Sequence, residues 1–367
     1  MSGAEFWIVV LRVVLTFGLL LLVTLLNVWA ERKILADMQS RIGPKRAGPF
    51  GILQTVADGL KLFFKEAVTP RKVELGMYLL APFLAVVPAF LIFMMVPWGK
   101  PLTIGGNELA LQGADLNIGL LFILAMSSLA VYSVVLAGWS SGSKYPLLGG
   151  VRATAQAISY EAAMGLAMVA VVMFTATQGD GGTLSLAEIV NRQAGTWGDV
   201  IPALEPILRF VPRWNLFPQI VAFVIFFVAI IAETNRAPFD LVEAEQEIVG
   251  FHTEYSGMRF AMFFLAEYVN IFSMCAIAAT LFLGGWNGPT FDGSVPGFVS
   301  ALLPTVWFLA KTYFLVFLFF WIRATLPRLR YDQLMQVGWK RLIPAALGWL
   351  VVSAAVISFR QFGPPWS

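Results

Sequence analysis

The sequence predicts an all-α, polytopic integral membrane protein with about eight transmembrane helices. Of the 367 residues, 58% are hydrophobic and 13% are charged. A typical soluble domain has roughly 25% charged residues, so this chain has too little polar surface to cover a globule in water. Apolar runs of about 20 residues, each long enough to cross about 30 Å of hydrocarbon as a helix, recur along the chain. The runs are continuous rather than alternating, which favours helices over a β-barrel.

Eight apolar runs predict the eight spans. Their approximate limits are residues 6–28, 78–96, 118–136, 159–176, 217–233, 259–283, 303–323 and 342–359. The first run is longer than the core of a signal peptide, so we expect it to remain as the first span. The inner loops are short, and no long linker rich in Gly, Ser or Pro divides the chain. Residues 1–367 are therefore predicted to form a single membrane domain.

An amphipathic segment lies between the first two spans, at about residues 55–66. Asp58, Lys61 and Lys65 share one stripe of a helix there, and apolar side chains that include Phe63 occupy the opposite side. Such a helix is expected to lie in the membrane interface rather than to cross the bilayer.

Basic residues are distributed unequally between the two ends of the spans. With both termini outside, 18 Lys and Arg residues fall at the inner ends and inner loops, and five fall on the outer side. The positive-inside rule therefore places both termini on the outer side of the membrane.

The Cys and His content limits the chemistry that this chain can perform by itself. One cysteine, Cys275, and one histidine, His252, leave no ligand set for an iron–sulfur cluster, a two-histidine haem or a zinc site. No GxGxxG or GxxxxGK motif is present to bind a phosphate. Any redox or nucleotide chemistry is expected to belong to another subunit or to a diffusible ligand.

Ionisable residues occur inside the predicted spans, where they are costly and usually functional. Glu267 is the ninth residue of the sixth span, and Lys311 lies about twelve residues from the inner end of the seventh. We expect the two to meet at a similar depth, either as a proton carrier and its partner or as a structural ion pair. Glu161 and Glu31 lie near the inner ends of their spans, and either one could simply cap a helix or face water.

A dense acidic stretch, "AETNRAPFDLVEAEQEIVGFHTEY", directly follows the fifth apolar run and contains six carboxylates and one arginine. If the chain is helical after its proline, Asp240, Glu243 and Glu247 lie on one face, with Glu245 turned away. Carboxylates confined together raise one another's pKa and release protons in coupled steps. A solvated acidic loop is the alternative, and the pattern alone leaves both interpretations open.

Five stretches of the chain, taken together, resemble one known family. In order, they are "AERK…QSRIGPKRAGPFGILQTVADGLKLFFKE", "ISYE", "AETNRAPFDLVEAEQEIVGFHTEY", "FFLAEY" and "IRATLPRLRYDQLMQVGWK". They resemble the signature stretches of the quinone-site membrane subunit of proton-pumping NADH:quinone oxidoreductase (respiratory complex I). The resemblance runs from about Ala30 to Lys340 and leaves out the first apolar run, the final helix and the long outer loop.

The resemblance implies a subunit at the foot of the membrane arm of complex I, in the bacterial inner membrane. Quinone is then the substrate, and it reaches its chamber from the bilayer past the first helix and the interfacial helix. Iron–sulfur clusters and FMN would lie in partner subunits, with no cofactor bound by this chain alone. The implied partners are peripheral quinone-site and iron–sulfur subunits, small membrane subunits, antiporter-like subunits and membrane lipid, with no nucleic acid.

The resemblance also assigns site residues by their place in these motifs. The quinone-chamber residues would be Glu31, Arg32, Arg41, Asp58 and Arg236. The proton path that couples quinone reduction to proton translocation would contain Glu161, Glu233, Asp240, Glu243, Glu245, Glu247, Glu254 and Glu267, and we add Lys311 because it lies inside a span.

Three other functions remain open. The homologous membrane subunit of an energy-converting hydrogenase shares the Gly-Pro turn and an acidic loop, although the stretch "RATLPRLRYDQLM" favours complex I. An ion-coupled secondary transporter would suit charges inside the membrane, but paired short or Gly/Pro-interrupted helices are not seen. A purely structural anchor would give no reason to keep Glu267 and Lys311 in hydrocarbon.

Overall fold

The structure is a computed structural model that describes residues 3–104, 107–178, 181–200, 210–240, 250–289 and 297–362. Helices make up nearly all of its regular structure, and seven of the described helices are long and apolar enough to cross a membrane. The predicted all-α, polytopic membrane fold is therefore confirmed. That the whole chain forms one domain stays a prediction.

The described elements follow one another as helices, with one short hairpin on the way. In chain order they are α1 (Gly3–Met38), α2 (Gln54–Phe64), α3 (Leu75–Met94), β1 (Leu102–Ile104), β2 (Asn107–Leu109), α4 (Gly119–Ser140), α5 (Lys144–Ala176), α6 (Leu186–Arg192), α7 (Trp197–Val200), α8 (Ile220–Glu233), α9 (Met258–Phe282), α10 (Gly297–Thr325), α11 (Tyr331–Val337) and α12 (Ile343–Phe362). A helix occupies the place of each predicted span. The 14-residue α8 is about 21 Å long at about 1.5 Å per residue, so it is the shortest of the eight.

Two helices continue well beyond their predicted limits. Helix α1 ends at Met38 rather than near residue 28, and α5 begins at Lys144 rather than near residue 159. Hydropathy marks only the part of a helix that lies in hydrocarbon, whereas the helix itself continues while its polar side chains find partners. In α1, Glu31 is buried in an ion pair and Arg32 pairs with Asp58.

The amphipathic segment forms α2, close to its predicted limits. Its charged side is tied to α1, because Arg32 pairs with Asp58, and Gln54 donates a hydrogen bond of 3.1 Å to the same carboxylate. Phe63 and Phe64 on its apolar side are 63% and 81% exposed. An exposed apolar side on a helix held at the end of a bundle supports the prediction that α2 lies in the membrane interface.

Helix α9 is the centre of the bundle. It packs against α1, α3, α8 and α10, and every residue from Ile271 to Phe282 is buried. A helix that is apolar all round is expected in the core of a bundle. Glu267, one turn before this buried stretch, is thereby directed towards the interior.

The turn after α8 is held against α5. Helix α8 ends at Glu233, and Asn235 adopts a left-handed backbone with φ of 52°, which asparagine tolerates better than most residues. The side-chain amide of Gln156 donates hydrogen bonds of 2.7 and 2.8 Å to the carbonyls of Ala232 and Phe239. Gln156 therefore fixes both ends of the turn that carries Arg236.

Candidate functional site

Four charged side chains from four parts of the chain meet inside the bundle. Arg236 Nη1 lies 3.2 Å from Glu31 Oε1, and Arg236 Nε lies 2.7 Å from Glu267 Oε1. Arg323 of α10 pairs with the same oxygen of Glu31. We call Glu31, Arg236, Glu267 and Arg323 the charge cluster. Its formal charges sum to zero. This balance reduces the cost of burying Glu31, which is only 2% exposed.

Tyr268 fixes the orientation of the central arginine. The guanidinium carbon of Arg236 lies 4.6 Å from the centroid of the Tyr268 ring, within the range of a cation–π contact. Arg236 is therefore held between two carboxylates and one aromatic face, and a single rotation of its side chain would lose all three contacts.

A pair of carboxylates lies beside two adjacent serines of α4. Ser127 Oγ donates to Glu233 Oε1 at 2.5 Å, and Ser128 Oγ donates to Glu161 Oε1. Ser127 and Ser128 are adjacent, so the two carboxylates are bound to neighbouring residues of one helix. We call Glu161 and Glu233 the carboxylate pair.

A cavity of about 100 Å³ is shared by one member of the carboxylate pair and one member of the charge cluster. Glu233 and Glu267 both line it, together with Asn235, His252 and Asn270. One buried water needs about 10–15 Å³ of such volume and two to four polar partners. The cavity has room for several waters, so a hydrogen-bonded path between Glu233 and Glu267 is sterically possible.

Several predicted site residues lie away from this cavity. Arg32 and Asp58 pair with each other between α1 and α2, and Arg41 is exposed in the turn after α1. The backbone carbonyl of Glu254 accepts a hydrogen bond of 2.8 Å from the Tyr78 hydroxyl at the start of α3.

The middle of the acidic stretch is only partly described. Asp240 is half buried directly after the Gln156-bound turn. Glu243, Glu245 and Glu247 lie outside the described residues, so their predicted common face is untested.

The predicted meeting of Glu267 with Lys311 is wrong. Lys311 Nζ donates to the carbonyls of Leu283 at 2.7 Å and Gly285 at 2.9 Å, and also to that of Asn287. These carbonyls follow the end of α9, and Leu283 is sixteen residues after Glu267, about 24 Å along the helix axis. Unpaired carbonyls at a helix C-terminus attract a cation. Lys311 therefore caps α9. The cationic partner of Glu267 is Arg236 rather than Lys311.

Some members of the site do not stand out in the sequence. In the sequence, Arg323 is distinguished only as a basic residue at the end of a span, although it belongs to the stretch "IRATLPRLRYDQLMQVGWK" quoted above. Tyr268 directly follows Glu267 in "FFLAEY". Ser127 and Ser128 are adjacent inside an apolar run, and this pair of hydroxyls could have indicated a polar contact between helices. His252 is typical of a solvated loop by its sequence, but it is half buried and lines the cavity.

The fold and the site define an all-α, multi-pass membrane protein with paired charges and a cavity lined by two carboxylates inside its helix bundle. Residues 11–354 match the model of the NADH dehydrogenase family. The match covers nearly the whole chain, and the chain belongs to that family. It is thus a membrane subunit of a complex I-type oxidoreductase assembly, and other subunits of that assembly are its partners.

Proposed function

We propose that this chain is the quinone-site membrane subunit of a proton-pumping NADH:quinone oxidoreductase. In this role it forms much of the quinone chamber and couples quinone reduction to proton translocation. The family match supports the assembly, and the five resembling stretches support the particular subunit. The predicted setting is the bacterial inner membrane with both termini outside, quinone as substrate, and the electron-carrying clusters and FMN in partner subunits.

The observation that carries the proposal is that Glu233 and Glu267 line one cavity. A purely structural ion pair between Arg236 and Glu267 would need no space beside it, because close packing on all sides would stabilise it better. The cavity instead adjoins the carboxylate pair, whose Glu233 accepts a hydrogen bond from Ser127. This arrangement suits the movement of protons between the two groups of residues.

The chemistry of quinone reduction fits these two groups. Two electrons from a partner subunit create negative charge on the quinone oxygens, and two protons complete the quinol. The fixed cations Arg236 and Arg323 interact with that new charge as well as with Glu31. A change in how strongly Arg236 interacts with Glu31 acts on Glu267 through the 2.7 Å contact between Arg236 and Glu267. Water in the cavity then passes the proton exchange on to Glu233 and Glu161.

The Glu233→Gln variant tests the proposal. Loss of a positioned proton-transfer group typically costs 10²–10⁴-fold, so we expect at least a tenfold fall in both quinone-dependent NADH oxidation and proton pumping in membrane vesicles. Electron transfer from NADH to ferricyanide, which bypasses the quinone site, should stay near the parental rate. Glu188→Gln is the matched control, because Glu188 pairs with Arg192 in α6, away from the cavity. An assembled Glu233→Gln complex that pumps at the parental rate contradicts the proposal.

Purification distinguishes the alternative functions. The proposal predicts that the chain is isolated with NADH-oxidising and antiporter-like subunits and that the preparation reduces quinone with NADH. Isolation with a hydrogenase would support the related hydrogenase subunit, and isolation of an active chain alone would support a transporter.

A further inference from the structure

A second cavity lies far from the charge cluster, between α1, α10 and the segment that follows α3. Its volume is about 160 Å³, and its lining includes Arg12, Leu15, Leu19, Trp98 and Leu309. Arg12 stands nineteen residues before Glu31 on α1, roughly 28 Å along the helix axis. We call this cavity the Arg12 pocket, and the proton path proposed above does not use it.

Two buried polar atoms of the Arg12 pocket lack partners among the described residues, whereas Gln112 and Thr16 in the same lining donate to backbone carbonyls. Arg12 Nε is buried, and no described residue offers it a hydrogen-bond acceptor. The same is true of Thr305 Oγ1, which belongs to the lining as well. Buried polar atoms in proteins almost always have a partner, and a guanidinium inside a span is costly without an anion. The missing acceptor is therefore expected to come from another molecule.

The shape of the Arg12 pocket indicates which kind of molecule this is. Leu15, which lines the pocket, is 53% exposed, and Leu11 and Val14 beside it on α1 are 49% and 62% exposed. The pocket therefore opens on the exposed apolar surface of α1. One positive group beside a mainly apolar lining matches an amphipathic ligand with an anionic head.

We propose that the Arg12 pocket binds one phospholipid. Its phosphodiester accepts hydrogen bonds from the Arg12 guanidinium, whose planar fork matches two phosphate oxygens. One acyl chain lies along Leu15, Leu19 and Leu309. Free inorganic phosphate has the same anionic chemistry, but it would leave the apolar part of the pocket unfilled.

Counting tightly bound phospholipid in the purified, delipidated complex by native mass spectrometry tests this proposal. The parent and the Lys100→Gln control, which removes an exposed charge near the pocket, should retain one phospholipid more than Arg12→Gln. Leu309→Trp keeps the arginine but fills the apolar part, and it should lose the same molecule. If Arg12→Gln fails to assemble, the comparison of Leu309→Trp with the parent decides the question.

An add-back experiment separates lipid from the other occupants. Phosphatidylglycerol in mixed micelles should raise the thermal dissociation temperature of the delipidated parent but not that of Arg12→Gln, and inorganic phosphate should raise neither. Equal phospholipid counts in the parent and both pocket variants would overturn the proposal. An equal effect of inorganic phosphate, or efficient cross-linking of a Leu15→Cys variant to another subunit, would overturn it as well.

Discussion

The contact between Arg236 and Glu267 allows a charge-balance prediction that three variants test. The formal charge of the cluster is zero in the parent, negative by one in Arg236→Gln, and positive by one in Glu267→Gln. In the double variant it returns to zero, with Glu31 still paired to Arg323. We therefore expect each single variant to be less stable than the parent and the double variant to recover part of the loss.

The size of the effect follows from the geometry. The two atoms are 2.7 Å apart, and the side chains are 6% and 20% exposed. At an effective dielectric constant of about 20, the gross attraction is about 6 kcal/mol, most of which desolvation offsets. Removing one partner of such a buried pair costs about 3–5 kcal/mol, because a charge is left uncompensated. The two losses should fall short of additivity by about 1–3 kcal/mol.

The rate of thermal dissociation of the purified complex, followed on native gels, measures this effect. A loss of about 3 kcal/mol speeds dissociation on the order of 100-fold if the contact is already broken in the transition state. The double variant should be slower than the product of the single effects by at least fivefold. Arg330→Gln is the control, because its ion pair with Asp332 has side chains that are 77% and 48% exposed, and such pairs contribute little.

Two results would refute the reasoning. If the double variant loses as much as the two single variants combined, Arg236 and Glu267 are not energetically coupled. If neither single variant dissociates faster than Arg330→Gln, the charge cluster does not contribute to stability, and its burial needs another explanation.

Cysteines placed at Gly43 and Ala47 are expected to react with a membrane-impermeant maleimide only from the cytoplasmic side, because of the 18-to-5 basic asymmetry; labelling from outside contradicts the orientation. Lys311→Met should lower stability by about 1–3 kcal/mol, because three carbonyls lose a charged donor, while pumping per assembled complex stays within about twofold of the parent. A pumping defect in stable Lys311→Met complexes would contradict a purely structural role and support a role of Lys311 in the proton path. The double variant Glu243→Gln with Glu247→Gln should slow quinone reduction and pumping in parallel and leave NADH:ferricyanide activity near normal, and parental pumping by an assembled variant would show that these carboxylates form only a solvated surface.

The fold was predictable because hydrocarbon imposes a strong constraint on the sequence. A span needs about 20 apolar residues whatever its neighbours are, and a helix was found at the place of each predicted span, although the 14-residue α8 is shorter than that length. The limits of α1 and α5 were less predictable, since their extensions depend on partners distant in sequence. In α1, Glu31 can be buried because Arg236 and Arg323, from two other parts of the chain, pair with its carboxylate.

The members of the site were more predictable than their contacts. Glu31, Arg236 and Glu267 stand in motifs that could be recognised, but nothing in those motifs states that the three meet. Depth along a span was a poor guide to contact, as Lys311 demonstrates. The inner ends of α9 and α10 were predicted to within two residues, so the error lay in treating similar counts from those ends as similar depth. The carbonyls after α9 are the partners that Lys311 contacts.

In the proposed function, the charge cluster and the carboxylate pair have different tasks that their contacts explain. Glu31 contacts two guanidinium groups, so a change in its charge would disturb both partners at once. Glu233 and Glu161 have serine hydroxyls as partners, and a serine hydroxyl can rotate to serve a charged or a neutral carboxyl group. Glu267 belongs to the charge cluster through its contact with Arg236, and it lines the same cavity as Glu233 of the carboxylate pair. If charge created at the quinone is converted into proton movement in this chain, Glu267 is the residue at which we expect the conversion to begin.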